Sequence, residues 1–174
     1  MLHMEHILYR YEVILNLINK NNHLRQIAKE IGINHMTIKR ILDNLIKENI
    51  LDIQQQGRNN IYSIKKTLEA QNMVYMAENY KFNKLIKKHP GLKQDLNLLK
   101  KINSKLIIIF GSYANFKETK DSDIDIFIET ENNDIKKQTE QINRKFSVKI
   151  GKYKRDNLLI KEIEKSHIEI GRAS

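Results

Sequence analysis

Phe110-Gly111-Ser112-Tyr113-Ala114 is followed, after Asn115–Lys120, by Asp121-Ser122-Asp123-Ile124-Asp125-Ile126-Phe127-Ile128. Side chains alternate along a strand, so Asp123 and Asp125 share one face while Ile124, Ile126 and Ile128 take the other. Two carboxylates side by side on an otherwise buried strand repel each other and lose solvation. A divalent cation removes that penalty, and hard oxygen ligands suit Mg²⁺. Upstream, Leu106-Ile107-Ile108-Ile109-Phe110 is a continuous apolar run, as expected of a strand buried on both faces. Gly111-Ser112 ends that run and opens a short helix. The glycine permits close backbone approach, and Ser112 with the first helical amides is expected to hold phosphate oxygens. A phosphate cradle beside a two-carboxylate metal site is what phosphoryl or nucleotidyl transfer requires.

Outward from this passage, the remaining C-terminal elements read as a helix from about Asn133 to Lys145, a strand Phe146–Ile150, a helix Asn157–Ser166 and a short strand His167–Ile170. Upstream, a long helical stretch runs from Thr67 to about His89. Pro90, the only proline, breaks it, and a helix from about Leu92 to Ile102 follows.

The N-terminal third is patterned differently. Ile7, Tyr11, Ile14, Leu15 and Ile18 recur at helical steps. A second helix over about Leu24–Ile31 ends at Gly32, suited to a left-handed C-terminal position. Asn34 is placed to cap a third helix with Ile38, Ile41, Leu42 and Leu45 inward. Ile50–Ile53 and Asn60–Ile64 read as hairpin strands around the polar tip Gln55–Asn59. Ala28 allows the two helices to cross closely, Gly32 turns the chain and Ile33 plugs the core between them. This holds the third helix at the angle a major groove needs. His35, Met36, Thr37, Lys39 and Arg40 then project outward, and Arg58 sits at the hairpin tip, placed for a minor groove.

Two resemblances follow. Residues 5–66 resemble the winged helix-turn-helix family, hairpin wing included. Residues 92–170 resemble the minimal nucleotidyltransferases of the DNA polymerase β superfamily, whose motif is hydrophobic-Gly-Ser, a spacer, then Asp-hydrophobic-Asp-hydrophobic; Gly111, Ser112, Asp123 and Asp125 fall on motif positions. This second resemblance implies that Asp123 and Asp125 are catalytic and bind two Mg²⁺ (or Mn²⁺) ions, while Gly111 and Ser112 hold the triphosphate, with ATP the expected substrate. It also implies a third carboxylate from a later strand. Lys145-Phe146-Ser147-Val148-Lys149-Ile150 carries no acid, leaving Ser147 or Lys149 at that position and Asp156 or Glu162 as substitutes from the next loop and helix. Asp121 and Ser122 are expected to shape the turn, and Tyr113, Phe116 and Phe127 to pack.

The expected fold class is therefore α/β: a winged helix-turn-helix over residues 1–66, a helical connector over 67–104 and a mixed-sheet nucleotidyltransferase domain over 105–174. The net charge of +10 includes 10 Lys/Arg against 6 Asp/Glu over residues 1–66, 7 against 3 over 67–104 and 14 against 12 beyond. A basic excess favours nucleic acid and nucleotides as partners. With no cysteine, disulfides and thiolate zinc sites are excluded. No apolar run reaches the roughly 18 residues of a membrane span, and the opening residues lack a secretory pattern, so a cytoplasmic protein is expected. Leu68, Tyr75 and Phe82 recur at seven-residue steps and predict a homodimer stripe. The functional expectation is AMP transfer to a macromolecular hydroxyl. Family resemblance adds an antitoxin role beside an all-helical partner of the HEPN type. The alternative is a DNA-binding regulator whose nucleotidyltransferase fold has lost its chemistry and serves as nucleotide sensor or docking surface.

Overall fold

The computed structural model describes residues 2–171, and its contacts divide the chain into two units, Met1–Tyr80 and Lys81–Ser174.

The first unit contains α1 (Leu2–Leu17), β1 (Asn22–His23), α2 (Leu24–Ile31), α3 (His35–Lys47), β2 (Leu51–Gln56), β3 (Asn59–Ile64) and the start of α4 (Leu68–Lys88). α2 stops because Gly32 adopts φ 78°, its N–H bonding the Ala28 carbonyl at 2.9 Å. α3 starts because the Asn34 side chain accepts the Thr37 amide at 2.8 Å; losing such a cap costs about 1 kcal/mol. Ile27, Ile38, Ile41, Leu42 and Leu45 are completely buried against Val13 and Ile14 of α1. Each contributes about 1.5–3 kcal/mol of apolar transfer energy. β2 and β3 form the antiparallel hairpin, with Gly57 at φ 60° in its tip, and the sheet order is β1-β3-β2. Three helices followed by this hairpin make a winged helix.

One element here escaped the sequence pattern. Asn22 and His23 lie in a polar stretch, yet they pair with Tyr62 and Ile61 of β3. Asn22 is buried, its amide donating to Asn16 at 3.1 Å, and the His23 ring nitrogen Nδ1 accepts the Gln26 amide and caps α2. A two-residue strand is defined by its distant partner, so local periodicity carries no trace of it.

The second unit holds the end of α4, a 3₁₀ turn (Pro90–Leu92), α5 (Lys93–Leu99), β4 (Ile107–Phe110), α6 (Gly111–Ala114), β5 (Ile124–Glu129), α7 (Asn133–Ile142), β6 (Phe146–Gly151), α8 (Leu158–Lys165) and β7 (Ile168–Gly171). The sheet order is β6-β5-β4-β7. β4 runs antiparallel to β5 and β7, while β5 and β6 are parallel and joined through α7. The apolar run is buried on both sides. Ile107 and Ile109 face Leu85, Leu96 and Leu99, whereas Ile108 and Phe110 join Phe127 beneath Ile160 and Ile163 of α8.

The stretch 67–104, expected as a connector, is shared between the two units. Ala70, Met73 and Ala77 complete the first core, and Leu85, Leu96 and Leu99 belong to the second. The stripe expected along α4 is shorter than its spacing implied. Leu68 and Tyr75 are exposed, but Phe82 packs onto the second core with the Lys100 ammonium 4.8 Å from its ring. Among the described residues no helix is long and apolar enough to cross a membrane.

Candidate functional site

β4 delivers Gly111 and Ser112 at its C-terminal end, and its antiparallel register sets Phe110 opposite Asp125. Gly111 has φ 69°, a left-handed value that favours glycine. Space forbids a side chain there as well. A Cβ at 111 would overlap the Oδ2 oxygen of Asp125 and come within 3.3 Å of its Cγ. The backbone at the end of β4 thus lies directly against the carboxylate of β5. α6 is a single turn, so anion attraction at this point falls to individual N–H groups rather than to a long helix dipole.

Asp123 stands one residue before β5, exposed, and Asp125 is half-buried within the strand. Burial, first, and the Asp123 charge, second, raise the Asp125 carboxyl above its ordinary value; Glu162 on α8 pushes the same way, while the Ser147 hydroxyl and the Lys149 ammonium oppose it. Concentrating negative charge in a half-buried place is the condition a cation relieves. Carboxylate oxygens are the ligand type that a hard divalent ion takes. Among the described residues, no group of three or more His, Asp or Glu side chains is placed to hold a metal.

On the strand where the third carboxylate was expected, Ser147 pairs with Asp125 of the parallel strand β5, and Lys149 pairs with Phe127. Of the two in-chain substitutes, Glu162 acts electrostatically on Asp125 from α8. Asp156 is exposed in the turn before that helix.

Ser122 shapes the turn into β5, its hydroxyl accepting the Thr119 amide at 2.9 Å. Tyr113 is buried in the core beside the His89 ring, centroids 5.1 Å apart, and Phe127 lies under α8, so both pack as expected. Phe116, at φ 56°, packs against the second core with the Lys84 and Lys88 ammonium groups 5.0 and 5.8 Å from its ring.

A polar cluster adjoining this loop was missed in the sequence. The Glu118 side chain is 5% exposed, takes an ion pair from Lys88 and contacts His89 Nε2 at 2.8 Å. Burial alone would raise its carboxyl, but hydrogen bonds from Lys88, its own backbone and His89 outweigh burial and hold it below the usual range. Glu118 and His89 lie 29 positions apart, and no local spacing connects them.

In the first unit, His35, Met36, Lys39 and Arg40 are exposed along the first turns of α3, with Thr37 half-exposed beside them. Arg58 is exposed in the tip between β2 and β3. α3 thus collects five of the six expected groups on one helix, and the wing carries the sixth.

Residues 91–172 match the family model of the nucleotidyltransferase domain. No curated protein matches the chain. Among solved structures, the chain is similar to the adhesin competence repressor AdcR from Streptococcus pyogenes, at 13% identity and a TM-score of 0.43 over 49% of this chain and 65% of that one. It therefore spans less than two thirds of the repressor's length. It is also similar to Sso10a-2, a DNA-binding protein from Sulfolobus solfataricus, at 21% identity and a TM-score of 0.38 over 55% of this chain and 97% of that one. The likenesses to these two structures are slight, and the fold rests on the element order and strand register above.

Proposed function

We propose that the chain is a Mg²⁺-dependent nucleotidyltransferase that moves AMP from ATP to a macromolecular hydroxyl and binds DNA through its winged helix. The observation that carries this reading is Gly111 pressed against the Asp125 carboxylate, inside the segment that matches the nucleotidyltransferase domain family. Asp123 and Asp125 would hold the cation, and Gly111 with Ser112 would receive the triphosphate. The bound cation would neutralise phosphate charge and favour displacement at phosphorus. The DNA surface would be His35, Met36, Thr37, Lys39 and Arg40 of α3, with Arg58 of the wing meeting a minor groove. The family resemblance extends the proposal to an antitoxin acting on a helical HEPN-type partner in the cytoplasm. Exposed Leu68 and Tyr75 suit a homodimer, which would match two-fold DNA sites.

Incubation of the full chain with each labelled NTP, Mg²⁺ and cell extract tests the transfer. Label should appear on an acceptor with ATP and disappear in Asp123→Asn/Asp125→Asn. A monomer at micromolar concentration, unchanged by Tyr75→Glu, would remove the dimer.

A second reading is favoured by Ser147, which stands in register with Asp125 where a carboxylate would serve as base. On it the domain binds nucleotide without transferring it, and the chain is a DNA-binding regulator that senses nucleotide or docks a partner. ATP binding without label on any acceptor, in wild type and in Ser147→Asp alike, would favour this second reading.

A further inference from the structure

We infer that Lys145 is the positioning residue for Asp123, holding the backbone on both sides of that carboxylate from the residue just before β6. The inference rests on the reading of Asp123 and Asp125 as cation ligands. Asp125 lies inside β5, where pairing with β4 and β6 fixes its backbone. Asp123 stands outside that ladder, exposed, at the end of the turn 119–122. A ligand so placed is only as well aimed as the groups that hold its backbone.

Lys145 reaches that backbone twice. Its carbonyl accepts the Ile124 N–H at 2.7 Å, and its ammonium donates to the Lys120 carbonyl at 2.6 Å. Residues 120 and 124, which bracket Asp123, are thus tied to a single residue. Between them the turn closes on itself: the Ser122 N–H donates to the Thr119 carbonyl at 3.3 Å, and the two hydroxyls lie 3.0 Å apart. Lys145 is anchored in its turn. Its own N–H donates to the Asn143 side-chain oxygen at 2.9 Å, and the Asn143 amide donates to Asp95 of α5 at 2.6 Å. A chain of bonds from Asp95 through Asn143 and Lys145 therefore ends on the turn that carries Asp123. One hydrogen bond from an exposed ammonium adds little to global stability. Its consequence is local, in where the turn stands.

Removing the ammonium has two effects of opposite sign. Taking a positive charge away from a cation site would, by charge alone, tighten metal binding, whereas releasing the turn loosens it. Mn²⁺ without nucleotide is titrated into the full chain, and free Mn²⁺ is read by electron paramagnetic resonance. Lys145→Met should weaken Mn²⁺ binding about tenfold, and Lys145→Arg, which keeps a donor, should retain most of the wild-type affinity. Asn143→Ala should also weaken it, since it cuts the anchor and leaves every charge in place. Unchanged or tighter binding in Lys145→Met would overturn the inference, as would a loss that Lys145→Arg shares in full. If Lys145→Met does not fold, Asn143→Ala decides, and unchanged binding there overturns the inference. A wild type that binds no Mn²⁺, or binding that persists in Asp123→Asn/Asp125→Asn, would instead overturn the site reading.

Discussion

Both units turn a corner on a glycine at positive φ, Gly32 at 78° and Gly111 at 69°, and the two glycines are required for different reasons. Around Gly32 a Cβ would meet nothing within 4 Å, so only the backbone angle selects glycine there. At Gly111 the same Cβ would run into Asp125. The first glycine shapes a fold, and the second brings backbone to a charged group. The carboxylates divide in the same way. In the first unit Glu30 accepts hydrogen bonds from Gln26, Lys20 and Asn16, the first and strongest being Gln26, and its carboxyl falls to about 2. In the second unit Asp125 is pushed upward. Glu30 is satisfied by its neighbours, whereas Asp125 carries burial and the Asp123 charge against it.

The comparison breaks most visibly at position 111. Gly111→Ala should strain the backbone by about 1–2 kcal/mol and displace the Asp125 carboxylate, abolishing the thermal shift given by Mn²⁺ with ATP. Gly111→Asn tolerates the angle but keeps the overlap, and should fail equally. A variant with a normal ligand response would show that the close approach has no role.

On the DNA side the expected change is smaller. Lys39→Ala and Arg40→Ala should each weaken binding by about 1–3 kcal/mol where they read a base edge, and by less where they meet only phosphate. Fluorescence anisotropy against salt concentration checks this, because phosphate contacts flatten the slope when they are removed. Affinity no greater than that of any basic protein at about 0.15 M salt would make the winged helix a protein-binding module.

Gly32 offers a milder contrast. Gly32→Ala should cost about 1–2 kcal/mol in chemical denaturation, and Gly32→Asn much less, because asparagine tolerates the left-handed region. Rescue at 32 and none at 111 separates an angle requirement from a space requirement.

The smallest effect is in the response to acid. Glu30 is depressed in the folded state, so its stabilisation is present above the unfolded value near 4.5 and fades as pH falls toward 2. Asp125 is raised, so the folded state takes up its proton first and acidification through that range adds stability. Against wild type, Glu30→Gln should lessen the acid loss of melting temperature, and Asp125→Asn should remove an acid gain. Each difference should stay below about 1 kcal/mol, since solvent screens both groups. Differences of the opposite sign would undo the contrast.

What was readable in the sequence follows the range of the interactions. Gly32, Asn34 and the apolar positions of α3 act over three or four residues, and they mark their helices from sequence alone. Gly111 and Asp125 were marked by a short spacer and strand alternation, and the structure sets the Gly111 backbone against the Asp125 carboxylate. The end of α7 was not. A helix was expected to Lys145, but it stops at Ile142, and Asn143 turns out to donate to Asp95 at 2.6 Å, 48 positions away. β1 and the Glu118–His89 contact were hidden for the same reason: their partners come from distant chain. The identity of the residue opposite Asp125 needed the β5–β6 register, which pattern alone left open between Ser147 and Lys149.

α4 carries a consequence for how the chain becomes a folded protein. Ala70 and Ala77 are completely buried in the first core, and Leu85 is completely buried in the second, all on one uninterrupted helix. A fragment cut at residue 66, where the hairpin ends, would expose the apolar surface that Ala70, Met73 and Ala77 cover. During synthesis the first unit cannot close until residue 77 has left the ribosome, by which point the chain is already within the helix that starts the second. Excision after Tyr80 should give a soluble, cooperatively melting first unit, and excision at 66 a loosened one that binds hydrophobic dye.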